Sequence, residues 1–216
     1  MFDTILFDLD GTISDSGLGI TRSVAYALEK FGIHVADLKT LNTFVGPPLN
    51  ESFREQFGFS PEECRQAVAY YRERYQDIGV RETESYPGIR ELLRKLKGAG
   101  KTVALATSKP TVFARVILDE YGVTDCFDLI LGCELDGRRS EKIEVMEACL
   151  STLDIDSDEK KKHTVMVGDR HYDIDGAKHC GIVSVGVTYG YAQGDELSGA
   201  DYIVETTEAL GRVLLS

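Results

Sequence analysis

Short apolar runs of strand length recur along this chain, and they constrain its fold more than any other feature. They are Thr4 to Phe7, Thr102 to Ala106, Leu129 to Leu131, Thr164 to Val167, Val183 to Val187 and Tyr202 to Val204. Several runs are nearly continuous rather than alternating, which is typical of strands buried on both faces of a parallel sheet. Helical patterns lie between most of them, for example at residues 89–96 and 143–153. The alternation predicts a doubly wound, parallel α/β sheet.

One interval between the apolar runs is unusually long. About 95 residues separate the first run from the second, far more than one crossover helix needs. Residues 15–82 contain no convincing strand but carry helical stripes of apolar residues, at 20–31 and again at 67–75. We therefore predict a core made of residues 1–14 and 83–216, with a helical unit inserted after the first strand.

Composition narrows the classes of partner. The 216 residues, 43% of them hydrophobic, suffice for one sizeable core and a smaller second unit. No run approaches the ~20 apolar residues of a membrane helix, and no targeting segment is visible, so we expect a cytoplasmic protein without membrane contact. The net charge of −12 argues against nucleic acid as a partner, because nucleic-acid affinity comes largely from clustered Lys and Arg. An anionic ligand would need a metal ion and local cations at its site.

The cysteines suggest neither disulfides nor zinc. There are five, namely Cys64, Cys126, Cys133, Cys149 and Cys180. Their odd number, wide spacing and lack of a Cys-x-x-Cys pair are typical of reduced and mostly buried thiols.

Two carboxylates follow the first apolar run. Asp8 and Asp10 are two residues apart on extended chain, so they point to the same side, at the sheet edge where open α/β folds place ligands. A turn-capping role before Gly11 is the structural alternative. A calcium loop is excluded, because Gly11 stands at its fourth position rather than its sixth and Gly19 stands where glutamate is required.

Hydroxyls and lysines follow later runs. Thr107, Ser108 and Lys109 come directly after the second strand, where hydroxyl and backbone N–H groups can hold phosphate oxygens. The alternative is that Thr107 and Ser108 cap the helix after Pro110. Lys142 opens an amphipathic helix. It is either a cation that contacts phosphate or, as the alternative, an ordinary solvated lysine.

A second acidic pair follows the fourth run. Asp169 and Asp173 stand at the end of a buried strand, where they either cap the next helix or complete a metal site with Asp8. Hard cations such as Mg²⁺ prefer oxygen ligands and often take only one or two carboxylates plus substrate phosphate.

These elements, in this order, resemble the haloacid dehalogenase superfamily of phosphotransferases. Asp-Leu-Asp-Gly-Thr at residues 8–12 and Gly-Asp-x-x-x-Asp at 168–173 are the most specific motifs, and the likeness spans the chain. The insert resembles the four-helix cap of one subclass. The stretches 14–16, 86–88 and 186–191 are similar to those of phosphoglycolate phosphatases and related nucleotidases and pyrophosphatases.

The resemblance implies a chemistry for the acidic residues. Asp8 would attack phosphorus and form a phosphoaspartate, and Asp10 would act as general acid and then base. The carboxylates of Asp8 and Asp169 and the backbone carbonyl of Asp10 would bind Mg²⁺. Asp173 would orient Lys142 or a metal-bound water.

The resemblance also implies how the phosphate is held. Thr107 and Lys142 would be catalytic, and Gly11, Thr12, Ser108 and Lys109 would bind substrate. The chain departs from the family pattern at Ile143, where relatives usually have proline after the lysine. Arg138, Arg139 and Lys109 are therefore competitors of Lys142.

The predicted function is a phosphatase acting on a small phosphorylated metabolite such as phosphoglycolate or a nucleoside monophosphate, as a monomer or homodimer. A sugar phosphomutase or a pyrophosphatase of the same superfamily is the alternative, and a non-catalytic phospho-ligand sensor is a further one. The presence of Asp10 favours phosphoryl transfer over dehalogenation, because dehalogenating relatives lack that aspartate.

Overall fold

A computed structural model describes residues Met1–Ser216, and a parallel sheet forms its centre. The strands are β1 (Thr4–Phe7), β2 (Ser14–Asp15), β3 (Glu84–Ser85), β4 (Thr102–Pro110), β5 (Leu129–Cys133), β6 (Thr164–Gly168), β7 (Val183–Val187) and β8 (Tyr202–Val204). Six of them form one sheet in the order β5-β4-β1-β6-β7-β8, and β2 pairs with β3. All six strands predicted from the apolar runs are confirmed, and β4 continues four residues further, through Thr107 to Pro110.

Helices occupy much of the remaining chain. They are α1 (Gly17–Lys30), α2 (Leu49–Phe57), α3 (Pro61–Tyr75), α4 (Ile89–Gly98), α5 (Thr111–Tyr121), α6 (Lys142–Thr152), α7 (Asp158–Lys162), α8 (His171–Cys180) and α9 (Thr207–Leu215). Short 3₁₀ segments lie at Leu38–Phe44, Gly79–Arg81 and Thr124–Cys126. No helix combines the length and apolar character needed to cross a bilayer.

The chain divides into two compact units. One comprises Met1–Ser14 and Ser85–Ser216, and the other is Asp15–Glu84. The second unit has three α-helices and two 3₁₀ segments, where the resemblance implied four helices. Its interior is aromatic: the Phe44 ring lies 5.0 Å from the Phe53 ring, which stacks on Phe59 at 5.9 Å.

Strand pairing in the first unit sets the position of the site. β1 lies between β4 and β6, with Phe7 opposite both Leu105 and Val167. The pairs are parallel, so their carboxyl ends meet at one edge. β1 and β6 are fully buried from Ile5 to Phe7 and from Val165 to Val167, as expected for a sheet covered on both faces.

The cysteines are mostly buried, as the sequence predicted. All five are free thiols, and only Cys133 among them is not fully buried. Burial raises the pKa of Cys149 to about 12 and that of Cys180 to about 11, so both thiols stay protonated at neutral pH.

Candidate active site

Three carboxylates converge at the carboxyl edge of the sheet. Asp8 follows β1, Asp169 follows β6, and Asp173 lies in the first turn of α8. All three are buried, and oxygen atoms from each lie within 4.8 Å of one another. Buried carboxylates at this spacing repel each other unless cations compensate them.

Lys142 supplies one compensating charge. Its Nζ lies 2.8 Å from Asp8 Oδ1 and 2.9 Å from Asp173 Oδ1, and it donates to the Ala106 carbonyl at 3.0 Å. Burial acts to lower the pKa of Lys142, but the negative charges of Asp173 and Asp8 outweigh burial and raise it. The side chain is therefore a buried, charged ammonium, and the solvated-lysine alternative is wrong.

The three competing cations pair with carboxylates other than Asp8. Arg138 is exposed and binds Asp136 at 2.9 Å, and Arg139 pairs with Glu134. Lys109 is buried, but its Nζ lies 3.2 Å from Asp10 Oδ2. Lys142 is thus the lysine that these ion pairs place at Asp8.

One ammonium against three carboxylates leaves negative charge uncompensated, and the pKa directions reflect this. Burial raises the pKa of Asp169 well above its ordinary value, and the charges of Asp173 and Asp8 raise it further. Burial also raises the pKa of Asp173 to about 6, although Lys142 opposes the shift. A divalent cation with a preference for oxygen fits both the charge and the donor type of this cluster.

The hydroxyl groups near the carboxyl end of β4 do not cap a helix. Thr107 is buried, and its Oγ1 accepts from the backbone N–H of Lys109 at 3.3 Å. Ser108 is half-buried on the same strand. Helix α5 begins only at Thr111, with Pro110 as its cap, so the alternative in which Thr107 and Ser108 cap this helix is wrong.

Asp173 caps a helix and also pairs with Lys142. One carboxylate oxygen, Oδ2, accepts from the backbone N–H of Arg170 at 3.2 Å and so caps α8. The other, Oδ1, faces Lys142. The cap fixes the carboxylate in the orientation that the ion pair uses.

Gly11 and Thr12 lie against Asp169. Gly11 has a φ of 82°, and an added Cβ would come within 2.0 Å of Asp169 Oδ2. Thr12 is fully buried, with its hydroxyl 3.5 Å from Asp169 Oδ1. Substrate binding by Gly11 and Thr12 stays a prediction.

Sequence reasoning noted the stretch 186–191 only for its resemblance and missed the contacts that it and Glu196 make around Asp169. The backbone N–H of Tyr191 donates to Asp169 Oδ2 at 2.6 Å. Arg170, the next residue after Asp169, is held by Glu196 through two hydrogen bonds of 2.9 and 3.1 Å. These partners lie 22 and 26 residues apart in sequence, and no local pattern signals such a pair.

Known proteins resemble this chain over most of its length. The family model described as haloacid dehalogenase-like hydrolase matches residues 5–187. A 5'-nucleotidase of Pseudomonas aeruginosa is 43% identical over 196 residues, covering 91% of this chain and 87% of that protein. Tyrosine-protein kinase PtkA of Mycobacterium tuberculosis is 37% identical over 206 residues, covering 95% of this chain and 68% of that protein. The crystal structure of a predicted phosphatase from Clostridium acetobutylicum has a TM-score of 0.95 at 44% identity, covering 100% of this chain and 99% of that one.

Proposed function

Because the chain belongs to the haloacid dehalogenase-like hydrolase family, we propose that it is a magnesium-dependent phosphatase of small phosphorylated metabolites. The observation that carries the proposal is the buried cluster of Asp8, Asp169, Asp173 and Lys142 at the carboxyl edge of the sheet. It offers a nucleophile, hard oxygen donors and an ammonium, which match what phosphoryl transfer requires: positioning and charge neutralisation.

The first step forms a phosphoaspartate. A carboxylate oxygen of Asp8 attacks the phosphorus, and the bond between phosphorus and the ester oxygen breaks with its electron pair. Asp10 donates a proton to that oxygen, and the dephosphorylated alcohol departs. Lys142 and the Thr107 hydroxyl hold the non-bridging phosphoryl oxygens, and Ser108 and Lys109 extend this contact.

The second step returns the enzyme to its starting state. Asp10, now a carboxylate, accepts a proton from a water molecule as the water oxygen attacks phosphorus. The bond between phosphorus and the Asp8 oxygen breaks, which releases inorganic phosphate and regenerates the Asp8 carboxylate. Asp10 again carries the proton that the next cycle uses.

The acidic cluster is suited to hold the metal. The carboxylates of Asp8 and Asp169 and the backbone carbonyl of Asp10 would bind Mg²⁺, and Asp173 would orient Lys142. When bound, the ion neutralises charge on the nucleophile and on the phosphoryl oxygens.

Nucleoside 5'-monophosphates are the first substrates to test, because the relative at 43% identity is a 5'-nucleotidase. Phosphoglycolate is the second, on the resemblance of residues 14–16, 86–88 and 186–191. We assign the choice among them to the helical unit Asp15–Glu84, acting as a cap. Phosphorylation of tyrosine is a second candidate activity, favoured by the 37% identity with PtkA.

A phosphate-release assay tests the proposal. The purified protein is incubated with nucleoside 5'-monophosphates, phosphoglycolate, pyrophosphate or a hexose phosphate, in Mg²⁺ or in excess chelator. We expect phosphate release that requires Mg²⁺ and is absent in Asp8→Asn. A parallel incubation with labelled ATP and a tyrosine peptide detects kinase activity. Full activity in chelator, or peptide labelling without phosphate release from any ester, would contradict the proposal.

A further inference from the structure

The loop between β7 and β8, residues 188–201, contacts Asp169 directly. Its Tyr191 N–H donates the 2.6 Å hydrogen bond to Asp169 Oδ2. Its Gly190 lies so close that an added Cβ would come within 2.3 Å of the Gly11 carbonyl and 2.5 Å of the Asp169 carboxylate. The orientation of Asp169 therefore depends on the position of this loop.

One acidic residue ties the loop to the Asp169 segment. The Glu196 carboxylate accepts from Nε and Nη2 of Arg170 at 2.9 and 3.1 Å and from the backbone N–H of Gln193 at 3.1 Å. It also lies 3.3 Å from His171 Nδ1. Glu196 thus joins the loop's own backbone to the two residues that directly follow Asp169.

This ion pair differs from the surface pairs of the protein. The Arg170 side chain is 8% exposed and that of Glu196 is 20% exposed, and the contact is bidentate. A bidentate pair shielded from solvent fixes geometry more firmly than an exposed one, because its charge-assisted bonds are strong and directional. Arg170 also donates its backbone N–H to Asp173, so the residue that directly follows Asp169 is bonded to a second member of the acidic cluster.

We infer that Glu196 is a positioning residue, which acts through Arg170 and the 188–201 loop to hold Asp169 in the orientation that binds the metal ion. This inference rests on the proposed function, since it presupposes a cation at Asp8 and Asp169. Outer partners of metal-binding carboxylates typically change metal affinity by about 10- to 100-fold when they are altered.

Mg²⁺ titration by calorimetry on substrate-free protein tests the inference. Glu196→Gln keeps the size of the side chain and removes its charge, and we expect its Mg²⁺ dissociation constant to rise about tenfold. Glu208→Gln is the matched control, because Glu208 binds Arg212 at 2.8 Å on an exposed surface. Its Mg²⁺ affinity should equal that of the wild type.

Further variants separate positioning from folding. Arg170→Lys keeps the charge but lacks the two-pronged donor, so it should weaken Mg²⁺ binding as well and serves if Glu196→Gln does not fold. The double variant should bind Mg²⁺ only slightly more weakly than either single variant, because both substitutions disrupt the same ion pair. Wild-type affinity in folded Glu196→Gln, or an equal loss in Glu208→Gln, would overturn the inference. Absence of Mg²⁺ binding by the wild type would instead overturn the proposed function.

Discussion

Lys142 Nζ lies 2.8 Å from Asp8 Oδ1, and neither side chain is more than 5% exposed. The same ammonium lies 2.9 Å from Asp173, so one buried cation pairs with two buried carboxylates. Removal of this charge should lower the stability of the fold, because its carboxylate partners would remain in a medium that solvates ions poorly.

Replacing Lys142 should therefore affect stability as well as turnover. We expect Lys142→Met to lower the free energy of unfolding of the metal-free protein by about 3 kcal/mol. Urea denaturation in chelator measures this, and added Mg²⁺ should restore part of the loss. The control is Lys162→Met, an exposed lysine whose removal should change stability by less than about 0.5 kcal/mol. Equal effects of both substitutions would show that the ion pair contributes nothing specific.

Asp8 and Asp10 should give distinct chemical outcomes. Asp8→Asn removes the proposed nucleophile, so no phosphoenzyme should form and turnover should fall by several orders of magnitude. Asp10→Asn keeps the nucleophile, so an activated aryl or acyl phosphate should still phosphorylate Asp8 slowly, and the adduct should accumulate for lack of a base. Intact-mass measurement after rapid quench detects the adduct. Its appearance in Asp8→Asn, or its mapping to Thr107 or Ser108, would refute the assignment.

The metal-free protein should lose stability as the pH rises from 5 to 7. Burial raises the pKa of Asp173 to about 6 and that of Asp169 well above the ordinary 3.8, so the folded chain retains protons that the unfolded chain has released. The stability that this proton uptake contributes is present at low pH and is lost as pH rises through the folded pKa values. Urea denaturation in chelator at several pH values measures the slope.

Mg²⁺ and one substitution should change that slope. Bound Mg²⁺ favours the charged carboxylates and should flatten or reverse the dependence. Asp173→Asn should reduce the slope, whereas Asp175→Asn, at an exposed position of the same helix, should not. A metal-free wild type that becomes more stable between pH 5 and 7 would be inconsistent with the raised pKa values.

Gly190 should tolerate no side chain. In Gly190→Ala the new Cβ would meet the Gly11 carbonyl and the Asp169 carboxylate, so the backbone or Asp169 must move. A displacement of this size at a reacting centre costs on the order of 100-fold in kcat/KM. Gly98→Ala is the control, because its Cβ would enter open space at the end of α4. It should keep full activity and gain up to about 1 kcal/mol in unfolding free energy. Equal activity of the two variants would exclude this constraint.

The sequence alone determined the sheet and the edge at which the site lies. Continuous apolar runs specify strands buried on both faces, and the carboxyl ends of parallel strands must meet at one edge. The positions of Asp8 and Asp169 directly after two such runs therefore suffice to assign both to that edge, although their chemical roles stay predictions. Helices α2, α7 and α9 were not located from the sequence, and α8 was expected only in the alternative in which Asp169 and Asp173 cap a helix. Short helices depend on tertiary packing more than on local propensity.

Only the tertiary structure decided which charges meet. The residue pattern alone left Lys142 open between a surface lysine and a site residue, and only the resemblance assigned it to the site. In the structure the start of α6 brings its Nζ to Asp8 and Asp173. The bond between Arg170 and Glu196 likewise joins residues whose local sequence gives no reason to pair them. Burial and electrostatic partnership depend on what surrounds a side chain in three dimensions, and hydrophobic periodicity reports only which face of an element turns inward.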